Sequence, residues 1–66
     1  MIRIGKKLKE LRLSESLTQQ QLADLLQISR VNYTRYETDV NRPDYELLVK
    51  LADFYEVSLD EIFGRE

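Results

Sequence analysis

LTQQQLADLLQISRVNYTRYE, residues Leu17–Glu37, reads as two short amphipathic segments joined by a tight turn. Thr18 and Gln21 form a capping box, in which the threonine oxygen meets the Gln21 amide while the glutamine side chain reaches back. Leu17 and Leu22 flank the box as a hydrophobic staple. A helix over 18–26 is therefore predicted, with Leu22, Ala23, Leu25 and Leu26 as its apolar face. Ser29 is the N-cap of a further helix over 29–38. The alternation of Val31, Tyr33 and Arg35 with polar neighbours would also suit a strand, but a lone strand has no pairing partner in this chain.

Working outward, Ile4, Leu8 and Leu11 recur at i, i+4, i+7 between lysines and predict an amphipathic helix over 3–14. Ser14-Glu15-Ser16 breaks it, because serine competes for backbone hydrogen bonds. Asp39–Pro43 is a turn-rich loop. Asp44 then caps a helix over 45–55 whose core side carries Leu47, Leu48, Leu51, Ala52 and Tyr55. SLDE at Ser58–Glu61 is a second capping box, stapled by Val57 and Ile62, and it opens a short helix over 59–63 that Gly64 stops. The expected fold is all-α: a compact five-helix unit forming one domain over 1–66, without repeats or linkers.

Composition removes several function classes. A 66-residue chain buries only about 60% of its unfolded surface, and with no cysteine it is held by helix packing alone, with dimerisation as a further support. The absence of cysteine and histidine removes thiolate sites, the commonest metal ligand and the commonest general base, so neither metal nor cofactor is expected. An enzyme would need paired carboxylates in a cleft or an activated serine, and no such spacing stands out. MIRIGKK lacks an apolar run of signal-peptide length, and nowhere do about 18 apolar residues follow one another. No membrane partner is expected, and the expected location is the cytoplasm.

The net charge of −2 conceals a polarised chain. Residues 1–12 carry Arg3, Lys6, Lys7, Lys9 and Arg12 against Glu10, a net +4, whereas residues 43–66 carry Lys50 and Arg65 against seven acids, a net −5. A local positive field steers a polyanion even when the whole protein is slightly acidic. On a helical wheel, Tyr33, Tyr36 and Glu37 fall on one side of the 29–38 segment. Val31, Thr34, Arg35 and Thr38 fall on the other, with Arg30 in the first turn. Two helices of this length crossed over a tight turn make a helix-turn-helix, whose second helix fits a DNA major groove. Arginine bonds guanine O6 and N7 bidentately and valine meets a thymine methyl, which makes Arg30, Val31, Thr34 and Arg35 the candidate base readers. Thr18 and Gln19, at a helix N-terminus, suit phosphate, as do Asn32, Asn41 and Arg42 and, more weakly, the Tyr36 hydroxyl.

From Ile4 to Phe63 the chain resembles the Cro/phage-repressor-type helix-turn-helix family, also called the XRE family. The resemblance rests on Leu11-Arg12, LTQQQLA at Leu17–Ala23, ISR at Ile28–Arg30, RYE at Arg35–Glu37, Arg42-Pro43, LLVKLA at Leu47–Ala52 and VSLDEIF at Val57–Phe63. It implies a lambda-repressor-like five-helix domain with its third helix in the major groove. It also implies an ion pair between Arg12 and Glu37, a phosphate contact at Gln19 that braces the third helix, and base reading by Arg30, Val31 and Arg35, with Thr34 a lesser candidate. The chain departs from the family at Gln27 and Asp39, where glycine is usual, and at Tyr33, where a smaller aliphatic residue is usual.

The expected function is a sequence-specific, double-stranded-DNA-binding transcription regulator, a repressor reading a pseudo-palindromic operator as a homodimer. No small-molecule ligand is evident, so control would come from its own concentration, a partner or residues outside this chain. Phe54, Leu59, Ile62 and Phe63 exceed what a short tail needs, and they either seal the core or form a dimer seam. The acidic C-terminal third favours a second reading, a helix-turn-helix module that binds another protein, as an antitoxin or adaptor does. Solvated helix arginines and a solvated lysine face are the bland alternatives for Arg30, Arg35 and Lys6, Lys7 and Lys9.

Overall fold

The structure, a computed structural model, describes residues 3–65. Met1, Ile2 and Glu66, which belong to the expected 1–66 domain, lie outside the described residues. Five helices follow one another: α1 (Gly5–Ser14), α2 (Gln19–Leu26), α3 (Arg30–Glu37), α4 (Tyr45–Tyr55) and α5 (Leu59–Phe63). No strand occurs among the described residues, and no helix there is long and apolar enough to cross a membrane.

Each predicted cap is built. Thr18 Oγ1 accepts from the Gln21 amide at 3.0 Å while Gln21 Oε1 accepts from the Thr18 amide at 2.9 Å. Ser29, Asp44 and Ser58 accept from the amides of Asn32, Leu47 and Glu61 at 3.1, 2.8 and 3.0 Å. The residue four places after each cap is then driven into the core: Leu22, Tyr33, Leu48 and Ile62 are all buried. One pattern therefore both starts a helix and anchors it.

Helix ends follow an equally regular rule. Ser16, Gln27, Asp39, Glu56 and Gly64 are all left-handed, and the next amide bonds back five residues, as in Leu17 to Arg12, Ile28 to Ala23 and Val57 to Ala52. In Ser16-Leu17-Thr18, Gln27-Ile28-Ser29 and Glu56-Val57-Ser58, one half-buried apolar residue closes one helix and staples the next. Gln27, at a position where the family usually has glycine, takes up left-handed backbone at φ 61 and ψ 41. Glycine reaches that region without the cost of a Cβ, about 1–2 kcal/mol, but adds entropy to the unfolded chain. Gln27→Gly is accordingly expected to stabilise by about 0.5–1 kcal/mol, read as a rise of several degrees in the thermal midpoint.

The core comprises Ile4, Leu8, Leu22, Ala23, Leu26, Tyr33, Leu48, Leu51, Ala52, Tyr55 and Ile62, with Leu11, Leu17, Ile28, Tyr36, Leu47, Val57 and Phe63 packed against it. Two expectations are corrected. Leu25 is 57% exposed, because the inward stripe of α2 is used up by Leu22, Ala23 and Leu26. The first helix begins at Gly5 rather than residue 3, since Ile4 is a cap without a side-chain acceptor and the Gly5 amide instead donates to Asp39 Oδ1 at 3.0 Å. A residue 34 places away thus closes the start of α1, and it sets that start against the end of α3.

Candidate nucleic-acid interface

Helix α3 presents the division expected of it. Tyr33 is fully buried at the centre of its inner side, and Tyr36 lies half-buried beside it. On the outer side Arg30, Val31 and Arg35 are exposed, Val31 to 51%, and Thr34 sits half-buried at the margin. Val31 thus sets an apolar group between two arginines on the outer side of the helix.

What fixes this helix is a polar relay running through three elements. Arg12, on α1, grips Glu37 at the end of α3 with Nε to Oε2 at 2.6 Å and Nη2 to Oε1 at 3.2 Å, and its Nη1 donates to the Leu17 carbonyl at 2.8 Å. Gln19 Nε2, at the start of α2, donates to Glu37 Oε1 at 3.1 Å, and the Thr34 hydroxyl donates to Gln19 Oε1 at 2.8 Å. The two charged side chains are 9% and 4% exposed. Burial alone would push the Glu37 carboxyl up. The Arg12 guanidinium, the neighbouring Tyr33 hydroxyl and the Gln19 amide outweigh it and hold the carboxyl below the ordinary carboxylate range. Burial, and then the Glu37 charge, push the Tyr33 hydroxyl well up, and the same two causes push Tyr55 to about 12. Both phenols stay neutral in the interior at physiological pH.

The flanks carry the other candidates. The capping box occupies the Thr18 and Gln21 amides, and the first backbone bond of α2 comes from Leu22, which leaves the Gln19 and Gln20 amides ahead of the helical ladder. Thr18 and Asn32 are exposed and Gln19 is half-buried, its side chain held in the relay. Beyond α3, exposed Asn41 and Arg42 rim a groove of about 410 Å³ floored by Ile4, Pro43, Leu48 and Phe63. Tyr36 lines a separate cleft with Ile28, Leu47 and Lys50, so its ring belongs to the edge of the core. Sequence reasoning missed Gly5 and the capping role of Asp39, because neither has a local signature.

A family model described as Helix-turn-helix matches residues 8–62, spanning all of the relay and α3. The chain belongs to the helix-turn-helix family of Cro/phage-repressor type. This helix-turn-helix chain is 40% identical over 63 residues to the HTH-type transcriptional regulator ImmR of Bacillus subtilis (strain 168), covering 96% of itself and 50% of that protein. It is 41% identical over 64 residues to the cryptic phage CTXphi transcriptional repressor RstR of Vibrio cholerae, covering 97% of itself and 57% of the repressor. To the HTH-type transcriptional activator BcrR of Enterococcus faecalis it is 36% identical over 62 residues, 94% of itself and 30% of the activator. The chain thus spans about half the length, or less, of these curated relatives. The Arg12–Glu37 pair implied by the family resemblance is present, and the helix-turn-helix core accepts the Tyr33 ring whole.

Of the four residues offered for a dimer seam, Ile62 is removed by its burial: at 1% exposed it is core, at the fourth position of α5. Phe54 is 40% and Leu59 38% exposed, and Phe63 is half-buried. Phe54 stands edge-on to Tyr55, with ring centroids 5.0 Å apart.

Proposed function

We propose that the chain binds double-stranded DNA sequence-specifically and represses transcription by occupying a pseudo-palindromic operator as a homodimer. The observation that carries this reading is the outer side of α3: Arg30, Val31 and Arg35 exposed together on a helix whose inner side and far end are locked by Tyr33 and the Arg12–Glu37 pair. Arg30 and Arg35 supply bidentate donors for guanine. The Gln19 and Gln20 amides, Thr18, Asn32, Asn41 and Arg42 supply phosphate contacts that fix register. Tyr36 is a lesser phosphate candidate by its half-buried ring.

Repression, rather than activation, is favoured by the likeness to RstR, because occupancy by this domain needs no surface for polymerase. A homodimer is the form that suits a pseudo-palindromic site. In such a dimer, two α3 helices about 34 Å apart would meet half-sites one DNA turn apart. Phe54, Leu59 and Phe63 offer the apolar seam.

In vitro selection from random duplex tests the reading by returning site, symmetry and spacing together. The expected product has two inverted half-sites about one turn apart. Arg30→Ala and Arg35→Ala are each expected to weaken the selected site by about 1–3 kcal/mol and to relax preference at one position, with the thermal midpoint unchanged. Unchanged biological activity of the double variant would favour the protein-binding module instead.

A further inference from the structure

The outer side of α1 carries Lys6, Lys9 and Leu13, spaced three and then four residues apart along one face of the helix. All three are exposed, Leu13 to 56%. Traced backwards from the cap of α4, Glu56, Asp53 and Val49 repeat that spacing of three and then four, and they too are exposed, Val49 to 49%. These charges have no partner within the chain. The ion pairs among the described residues are Lys7 with Glu61 and Arg12 with Glu37, and the side chains of Lys6, Lys9, Asp53 and Glu56 make no hydrogen bond there. Lys50, the lysine of α4, is turned to the Leu26 carbonyl at 3.5 Å and so does not neutralise the acidic stripe.

We propose that α1 of one copy docks antiparallel on α4 of a second copy, Lys6 against Glu56, Lys9 against Asp53 and Leu13 against Val49. Read in opposite directions the two spacings are identical, so a single register satisfies all three pairs. Glu10 then falls opposite buried Ala52 and meets no carboxylate head-on. A parallel alignment that keeps both charge pairs carries Leu13 past the end of α4 and leaves Val49 uncovered. The contact is heterologous. Each copy keeps a free α4 stripe towards one neighbour and a free α1 stripe towards the other, so association extends from copy to copy instead of closing. It uses none of Phe54, Leu59 and Phe63 and none of the residues offered to DNA. It is therefore separate from the proposed homodimer, and with the proposed reading of DNA it would line neighbouring copies along a duplex. Exposed ion pairs are individually weak and screened by salt, so the contact forms at high protein concentration and low ionic strength.

Sedimentation velocity without DNA tests the contact, so its failure leaves the DNA reading standing. In about 20 mM salt the mean mass of the wild-type chain is expected to climb past the dimer as protein concentration rises, and in about 300 mM salt to stop climbing. Lys6→Glu/Lys9→Glu is expected to raise the dissociation constant of this growth about tenfold or more, as is Asp53→Lys/Glu56→Lys, because both pairs turn repulsive. The chain with all four substitutions keeps the wild-type net charge of −2 and is expected to associate as the wild type does. A second measurement reads the register. The chain has no cysteine, so a mixture of Leu13→Cys and Val49→Cys chains is expected to give a disulfide-linked heterodimer on mild oxidation, and either chain alone far less. All the substituted positions are exposed, and thermal melts confirm that each variant folds. A mean mass that does not climb past the dimer at low salt overturns the proposal and leaves the basic stripe to a different partner. Growth indifferent to either charge reversal overturns it too, as does growth that the fourfold variant fails to restore. So does a Leu13→Cys chain that links to itself as readily as to the Val49→Cys chain.

Discussion

Arg12→Ala is expected to lower unfolding stability by about 3–5 kcal/mol, because it leaves the Glu37 carboxylate buried without its cation. At roughly 0.05–0.15 kcal/mol per residue, a chain of 66 residues holds only about 3–10 kcal/mol in all. The variant should therefore be largely unfolded at 37 °C, seen as a collapse of the urea midpoint. Replacing both partners with apolar residues of similar size is expected to recover much of the loss, since no orphan charge then remains. The pair also sets the acid limit. The folded carboxyl titrates below its ordinary value of 4.5, so the stabilisation is complete above that value and is lost as pH falls through the folded value. Urea midpoints measured between pH 7 and pH 3 should fall at the acid end for the wild-type chain. Glu37→Gln, weaker throughout, should show a flatter profile over the same range.

Gly5→Ala is the second large effect. A Cβ built on Gly5 would lie 2.7 Å from the Glu37 carbonyl carbon, closer still to its oxygen, and 2.9 Å from Asp39 Oδ2. Two of these three atoms are backbone, so no side-chain rotation relieves the overlap. Either α1 moves away from the end of α3, breaking the Gly5 amide bond to Asp39, or α3 moves with its reading face. Overpacking of this kind typically costs about 1–3 kcal/mol, and the backbone contact puts Gly5→Ala at the upper end. Alanine is otherwise the best helix former, about 1 kcal/mol better than glycine in a helix interior. A stabilised Gly5→Ala variant would therefore show that the close approach is absent.

Local chemistry carries the parts of this molecule that were legible in its sequence. Thr18–Gln21, Ser29, Asp44 and Ser58–Glu61 announce helix starts because a cap needs only a short polar side chain three residues from its target amide. The inner side of α3 follows from periodicity, which is why Tyr33 and Glu37 fall where the wheel puts them. Long-range partners beyond those the family resemblance implied were silent. Gly5 is unremarkable until the end of α3 is set against it, and Asp39 reads as a turn residue until its carboxylate meets the start of α1. The same holds for Thr34, whose outward wheel position says nothing of a hydroxyl turned to Gln19. Helix ends were half legible: glycine marks only Gly64, while Ser16, Gln27 and Glu56 accept left-handed backbone because tertiary packing places an apolar residue just after each. Leu25 was misplaced and Ile62 left open between core and seam, because a short helix does not reveal which of its apolar residues will face in.

The proposed reading of base edges by α3, with basic and amide groups around it on phosphates, is tested most directly by the affinity of the wild-type chain for a selected duplex and for random duplex, measured across a salt series. A preference of about a thousandfold or more for the selected duplex is expected, with affinities for both that fall linearly in log–log form with salt. Equal affinity for the two duplexes, or binding indifferent to salt, would contradict it.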